Sequence, residues 1–470
     1  MLFGTFDFLI FFAVVIALNW LFKPWSLLWR LFLLGVSIYF YVLIDIRFVF
    51  LLGGATVLTY LLGLIIEKRQ TILSKYAYVT GIVLNLGMLF AFKYYDFFRV
   101  TAESFFASIG LGSSLPYWEI IFPVGISFYS FRMISYLIDL WRKKYKAETS
   151  IIDFSLYAFF FPCLLAGPIT RANEFIIQLK NNGARTINGL ENATTLFFIG
   201  LFKKVVLSSW LSANIVDNVF AVPEQFSSLA ILLAVIGYTL VIYCDFSGYS
   251  DMAIACAKFL GFEISPNFLF PYGARSITEF WRRWHISFYL WMRDYLYIPL
   301  GGNRKGVFRS YINGLIVFAV SGLWHGAAGH YLVWGLWHGI GLMIHRLWDK
   351  ISFVKFKVDN FFIVFLEWIV TFSFVSFGWI FFRAENMERA MVIIKGLWHS
   401  DKVTVLSIWV IAITTLIMVF VLLEQKIIER VDKFQLSMSV FAWIMFWFIV
   451  GLLIYGFAPN TVPPFIYFSF

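Results

Sequence analysis

SGLWHGAAGHYLVWGLWHG, residues 321–339, sits inside a longer run, Tyr311 to His345, that contains no Asp, Glu, Lys or Arg. As one helix rising about 1.5 Å per residue, that run would be about 52 Å long, far more than a hydrocarbon core about 30 Å thick. It must therefore break, and Ala327-Ala328-Gly329 is the obvious place. A hairpin starting near Arg309 and returning at Arg346 puts its tip about 25 Å deep. His325 then lies about 20 Å from the cytoplasmic edge, and His338 about 10 Å below the tip. His345, beside Arg346, returns to the surface. Two of the three histidines in the quoted stretch are framed identically as Trp-His-Gly, at 324–326 and 337–339.

Lipid as solvent follows from the whole chain. Of 470 residues, 61% are apolar and only 14% charged, with a mean hydropathy of +0.81. A soluble domain is about half apolar and a quarter charged, so a water-soluble fold would expose large apolar patches. Apolar runs of spanning length recur at 7–22, 46–66, 76–94, 119–140, 193–211, 228–244, 310–328, 331–345, 360–382, 404–423 and 438–458, with weaker ones at 27–44 and 151–168. Strand-type alternation is absent. The pattern predicts an all-α, polytopic integral membrane protein of about 11–13 membrane helices or re-entrant segments. It reads as one continuous membrane domain over 1–470, without repeats or low-complexity linkers. No cleavable signal is expected, because the first basic residue, Lys23, follows the first apolar run. Cys163, Cys244 and Cys256 give neither a disulfide framework nor a zinc pattern.

The net charge of +10 is read as the positive-inside bias of a membrane protein, not as a nucleic-acid footprint. Basic clusters at Lys68-Arg69, Arg142 to Lys146, Lys203-Lys204, Arg275 to Arg309, Arg346 to Lys357 and Lys426 to Lys433 then belong to the cytoplasm. Residues 95–118 and 212–227 and the N-terminus fall outside.

Two stretches interrupt the spans. In FFFPCLLAGPITR, residues 159–171, Pro162, Gly167 and Pro168 break an apolar run, which leaves a kinked span and a re-entrant segment both open. The interval 273–309 carries seven basic residues against two acidic ones. Trp281, Trp284, Phe288, Trp291 and Tyr295 follow a 3,4,3,4 spacing, one face of a helix, with His285 at its edge. This predicts an amphipathic surface helix, either a plain interfacial anchor or a basic face that receives an anionic, phosphate-bearing donor. The hairpin 310–346 follows.

Ionisable residues deep in a membrane mark function by default. For the histidines a metal site lacks further ligands at a recognisable spacing. A proton relay usually recruits Asp or Glu in the spans. General-base catalysis fits an imidazole kept neutral by burial among Trp324, Trp334 and Trp337, with flanking glycines leaving room for a ligand. The structural alternative is a histidine hydrogen-bonded between helices as packing glue.

Several strings occur together: PVGISFYSFRMISYLID (123–139), FFPCLLAGPITR (160–171), YCDFSGYSDMAIA (243–255), FWRRWHISFYLWMRDYLYIPLGGNRKG (280–306), SGLWHGA (321–327) and FIYFSF (465–470). With them the chain resembles the membrane-bound O-acyltransferase family, in its bacterial alginate O-acetyltransferase branch, from about residue 5 to the end. The resemblance implies helices ringing a central funnel, with the family histidine, here His325, at its constriction. It implies a second characteristic polar residue at His285, and a histidine common in the branch at His338. The implied reaction is O-acetylation of an extracytoplasmic polysaccharide such as alginate or peptidoglycan, from cytoplasmic acetyl-CoA and without a metal. His325 is expected as base and His285 beside the donor or its thiol. Trp324 supports the site, and Arg282, Arg283 and Arg304 are expected on the cofactor's phosphates. Asp245, Tyr249 and Asp251 are candidates for a structural network. The family's usual companion is a periplasmic or secreted SGNH-type O-acetyltransferase; membrane lipid is the other partner, and the bacterial inner membrane the expected location. Rival readings are the D-alanyl (teichoic acid) branch, a lipid acyltransferase using long chains, and a polysaccharide or ion transporter.

Overall fold

The computed structural model describes residues 3–68, 71–111, 115–117, 121–181, 186, 189–351, 360–399, 402, 406–459 and 463–466. All regular structure among them is helical. The chain divides into two compact units, Met1–Leu190 with Ala253–Ser265, and Glu191–Met252 with Pro266–Phe470.

The first unit begins with α1 (Phe6–Leu21), α2 (Ser26–Val42), α3 (Ile46–Glu67) and α4 (Ile72–Ser108, with a π turn at Phe90–Tyr94). It continues with α5 (Ile126–Trp141), α6 (Ile151–Phe159) and α7 (Ala172–Lys180). Thr5, Asp45, Thr71 and Ser150 each accept a first-turn backbone N–H, which fixes where the apolar runs become helix. α3 packs on α4, α5 and α6. The 151–168 run does not span. Phe160 leaves the helical region after nine residues, and a single turn, Phe161–Leu164, follows with Pro162 in its first positions, where a missing N–H costs nothing. Nine residues rise only about 13 Å. The segment is instead buried from Phe159 to Thr170. A Cβ on Gly167 would lie 2.7 Å from the Cys163 Cα and 2.8 Å from the Pro162 oxygen, so the turn closes only on glycine.

The second unit holds α8 (Leu190–Ala221), α9 (Ser228–Phe259, whose last turns belong to the first unit), α10 (Ile277–Arg283), α11 (Ile286–Met292), α12 (Val307–His325) and α13 (Gly329–Ile351). Then come α14 (Phe361–Arg383), α15 (Met387–Trp398), α16 (Ile408–Gln435) and α17 (Val440–Phe457). α8 is interrupted by two π turns, Phe202–Ser208 and Ser212–Val216. Among the described residues eight helices are long and apolar enough to cross a membrane: α3, α4, α8, α9, α12, α14, α16 and α17. α1 and α2 are apolar but shorter, and α13 is the return limb of the hairpin. The chain is a multi-pass, all-α membrane protein.

Lys203 and Lys204 do not lie in a loop. They are buried within α8: Lys203 Nζ is 2.6 Å from Asp251 and 2.5 Å from Glu424. Lys204 pairs with Asp245 and donates to the Pro463 carbonyl at 2.9 Å. Each ammonium meets carboxylates, which is what makes a charge tolerable inside a span.

The hairpin breaks at 326–328, between α12 and α13. Its limbs touch backbone to backbone. A Cβ on Gly322 would lie 2.2 Å from the Tyr331 oxygen, and one on Gly335 2.1 Å from the Phe318 oxygen. The glycines of the two Trp-His-Gly units serve the same packing, since a Cβ on Gly326 would enter the Tyr331 ring at 2.2 Å and one on Gly339 would meet Leu315 at 3.1 Å. They are spacers for helices first, and not simply room for a ligand.

Candidate active site

The expected amphipathic helix over 281–295 is two short helices with a break at Trp284-His285. His285 has φ +44 and ψ 54, a left-handed conformation that costs about 1–2 kcal/mol for a residue with a Cβ. Asn267 holds the break in place. Its carbonyl accepts the Ile286 N–H at 2.9 Å, and its Oδ1 accepts the Ser287 hydroxyl at 2.9 Å. The break turns the whole aromatic stripe inward, so Trp281, Trp284, Phe288, Trp291 and Tyr295 are all buried. They are core, not an interfacial anchor.

That core receives the histidines. His325, the last residue of α12, is buried with its ring centroid 4.6 Å from Trp324, 4.9 Å from Trp334, 4.9 Å from Phe382 and 6.0 Å from Phe288. His285 lies 4.9 Å from the same Phe288, stacked on it, and 6.2 Å from Trp324. His338 lies 5.1 Å from Trp334 and 5.1 Å from Trp281. One aromatic cluster thus carries all three histidines, with Trp324 in contact with His285 and His325, and Trp334 with His325 and His338. Neither ring nitrogen of His338 has a hydrogen-bond partner among the described residues. Burial pushes His285 down to about 3, so its ring is neutral at physiological pH.

Two cavities reach this cluster. A narrow one of about 160 Å³ is lined by Trp281, Phe288, Tyr289, Arg293, Tyr297 and Arg346 among others. It lies at the base of the hairpin, where Tyr297 and Ser310 share a hydrogen bond of 2.8 Å. A wider one, about 560 Å³, opens at the hairpin tip between Gly326–Ala328, Tyr238, Asp245, His330, Phe382, Arg383 and the Pro463–Pro464 segment. Phe288 belongs to the first wall and Phe382 to the second, and both contact His325.

The expected arginines are placed differently. Arg283 pairs with Glu279 and donates to the Phe270 carbonyl at 3.3 Å. Arg282 and Arg304 are exposed and do not line the narrow cavity, whose cations are Arg293 and Arg346. Arg293 lies beyond the break at Trp284-His285 that follows Arg282 and Arg283. Asp251 and Asp245 pair with Lys203 and Lys204; Asp245 also accepts the Ile466 N–H at 2.8 Å, and Tyr249 stacks on the neighbouring Phe465 at 4.7 Å. Of the FIYFSF string, residues 467–470 lie outside the described residues. Among the described residues no three His, Cys, Asp or Glu side chains gather where they could hold a metal ion.

The profile of the membrane-bound O-acyltransferase family matches residues 142–384, more than half the chain and the part that contains all three histidines. The chain belongs to the membrane-bound O-acyltransferase family. Its relatives include the probable alginate O-acetylase AlgI of Pseudomonas aeruginosa, 36% identical across 84% of this chain and 75% of that protein. The peptidoglycan O-acetyltransferase of Helicobacter pylori is 33% identical across 78% of this chain and 73% of its own length. The teichoic acid D-alanyltransferase of Bacillus subtilis is 25% identical across 58% of this chain and 72% of its own. As a membrane-bound O-acyltransferase, the chain is an enzyme that places an acyl group on oxygen.

Proposed function

We propose that this O-acyltransferase moves acetyl groups from cytoplasmic acetyl-CoA across a bacterial inner membrane for O-acetylation of an extracytoplasmic polysaccharide such as alginate or peptidoglycan. The observation that carries the reading is the position of His325, caged by four rings and touching one wall of each cavity. A thioester is already activated, so the reaction needs a base, stabilisation of the tetrahedral oxyanion and exclusion of water. His325 takes the proton of the acceptor hydroxyl as its oxygen attacks the thioester carbon. The carbon–sulfur bond then breaks, and the departing thiolate takes that proton back from the imidazolium. The ring cage keeps the site dry.

The narrow cavity suits the donor, because Arg293 and Arg346 offer guanidinium groups to its phosphates. Arg282 and Arg304 extend the same basic surface outward. Neutral His285, one ring away through Phe288, orients the donor or its leaving thiol, and Trp324, in contact with both imidazoles, supports the site. His338 supports Trp334. A periplasmic or secreted SGNH-type protein completes delivery to polymer.

Replacing His325 with Ala is expected to lower acetyl transfer by about 10²- to 10⁴-fold, measured as acetylation of the extracytoplasmic polymer at unchanged membrane abundance. Undiminished acetylation defeats the assignment. The likeness to the D-alanyltransferase favours a second reading, in which the donor is a carrier protein's D-alanyl thioester. Release of free CoA from acetyl-CoA separates the two, and flux without thiol release would instead indicate a transporter.

A further inference from the structure

We propose that Gly314 is the gauge of the narrow cavity: the side chain it lacks leaves the width through which the thin, linear arm of an acyl thioester reaches His325. The proposal rests on the acyl-transfer reading above and adds what sets the shape of the donor. The residues of α12 that line the cavity are Ser310, Tyr311, Gly314, Val317, Phe318 and Ser321. With about 3.6 residues per turn they share one face of the helix, Gly314 at its centre, and the same face arrives at His325 one turn beyond Ser321. A helix interior gives glycine no advantage, since it costs about 1 kcal/mol against alanine. Elsewhere in the hairpin the reason for glycine is packing: a Cβ on Gly322, Gly335 or Gly339 would lie 2.2, 2.1 or 3.1 Å from the facing limb. Gly314 answers to neither packing nor backbone strain. Its φ is not positive, and a Cβ there would meet no atom within 4 Å. The open space in front of it is the cavity's own.

That space is a slot. Its volume of about 160 Å³ is drawn out along the rise of about 16 Å from Ser310 to Ser321, which suits an extended chain better than a base or a sugar ring. Its charged lining is basic, Arg293 and Arg346, with no carboxylate among the described residues that line it. Arg293 holds Asp294 through its Nε at 2.7 Å, which leaves its terminal nitrogens to an anion. Gly339 packs on Leu315, and the limbs run antiparallel, so Arg346 lies level with the first turn of α12. Gly314 therefore stands between the cations and His325, which is about 16 Å further along the helix. An anionic head group stays at the arginines, and what passes Gly314 is the neutral arm that carries the thioester. Coenzyme A and a phosphopantetheine-bearing carrier protein share that arm.

The test uses the full-length protein in lipid nanodiscs. It measures binding of acetonyl-CoA, in which a methylene between sulfur and carbonyl blocks transfer, and of the adenosine bisphosphate head of CoA alone. Gly314→Leu is expected to weaken acetonyl-CoA binding about ten-fold or more, with Gly314→Ala between it and wild type. Binding of the head group and the unfolding midpoint should stay unchanged, whereas Arg346→Gln should weaken both ligands. The three native cysteines are buried, so a small thiol reagent should label Gly314→Cys at the new thiol, and acetonyl-CoA but not the head group should block it. The proposal is overturned by an unchanged affinity of Gly314→Leu for acetonyl-CoA, by equal losses for both ligands, or by labelling of Gly314→Cys that acetonyl-CoA does not slow. Acetonyl-phosphopantetheine that binds as tightly as acetonyl-CoA assigns the arm to a carrier protein, and weaker binding assigns it to CoA; the loss at Gly314→Leu is expected with either. Failure of the underlying reading is read separately, as transfer that survives His325→Ala.

Discussion

At the scale of single residues, His285 joins backbone strain to burial. Its folded pKa, about 3, lies below the ordinary 6.5 of histidine. Between those values the unfolded chain binds a proton that the folded chain refuses. The resulting stability is complete above about pH 6.5 and is lost as pH falls toward 3. Thermal unfolding in detergent should accordingly move to lower temperature between pH 7 and pH 4.5, and His285→Gln should show a clearly smaller shift. An equal shift in both proteins would assign the acid sensitivity elsewhere. His325 and His338 stand out in the sequence as imidazoles in an uncharged apolar run, whereas His285 sits beside two arginines; that the three share one aromatic cluster shows only in the fold. Arg283 and Arg293 look alike along the chain, and only the fold places Arg293 rather than Arg283 in the lining of the narrow cavity.

At the scale of elements, the hairpin was legible almost to the residue. Its length exceeds the membrane, and Ala327-Ala328-Gly329 marks the weakest helix. What the sequence could not supply was the use of its glycines. Gly322 and Gly335 let α12 and α13 approach until their backbones touch, the kind of packing that small residues allow inside a bilayer. Gly322→Ala places a methyl group against a carbonyl that cannot swing aside. We expect a loss of about 1–3 kcal/mol or more, seen as a lower midpoint of detergent-monitored unfolding, together with reduced transfer. By contrast Gly314→Ala, with open space around its Cβ position, should leave the midpoint unchanged. The aromatic stripe at 281–295 was legible as a face but not as two helices, since a 3,4,3,4 spacing carries no trace of the Asn267 side chain that splits it.

At the scale of the whole molecule, apolar length located the spans, because lipid demands a minimum run whatever the fold. Charge was the poorer guide. Lys203 and Lys204 read as a cytoplasmic cluster, yet their carboxylate partners come from α9 and α16, tens to hundreds of residues away. Lys204 and Asp245 also bind the backbone of Pro463, Pro464 and Ile466. That pair therefore anchors the C-terminal segment that walls the wide cavity. Lys204→Met leaves the buried Asp245 without its ammonium, and should cost about 3–5 kcal/mol and speed backbone amide exchange over Phe465 and Ile466. Lys204→Met combined with Asp245→Leu should recover much of the stability but not the slow exchange of that segment. Slow exchange that persists in the double variant would show that Phe465 stacking alone suffices.

The two π turns of α8 have a consequence for how such a helix is inherited. Each is, in effect, one surplus peptide absorbed without a loop. It advances the angular phase of everything downstream relative to a regular helix. Asp217, which faces Arg383, lies downstream of both π turns, whereas Lys203 and Lys204 sit at the start of the first. A strict 3.6-residue count begun at Leu190 would point Asp217 toward another neighbour. The span can exchange one apolar side chain for another with little penalty, but it cannot gain or lose a single residue there without rotating one rim of the wide cavity.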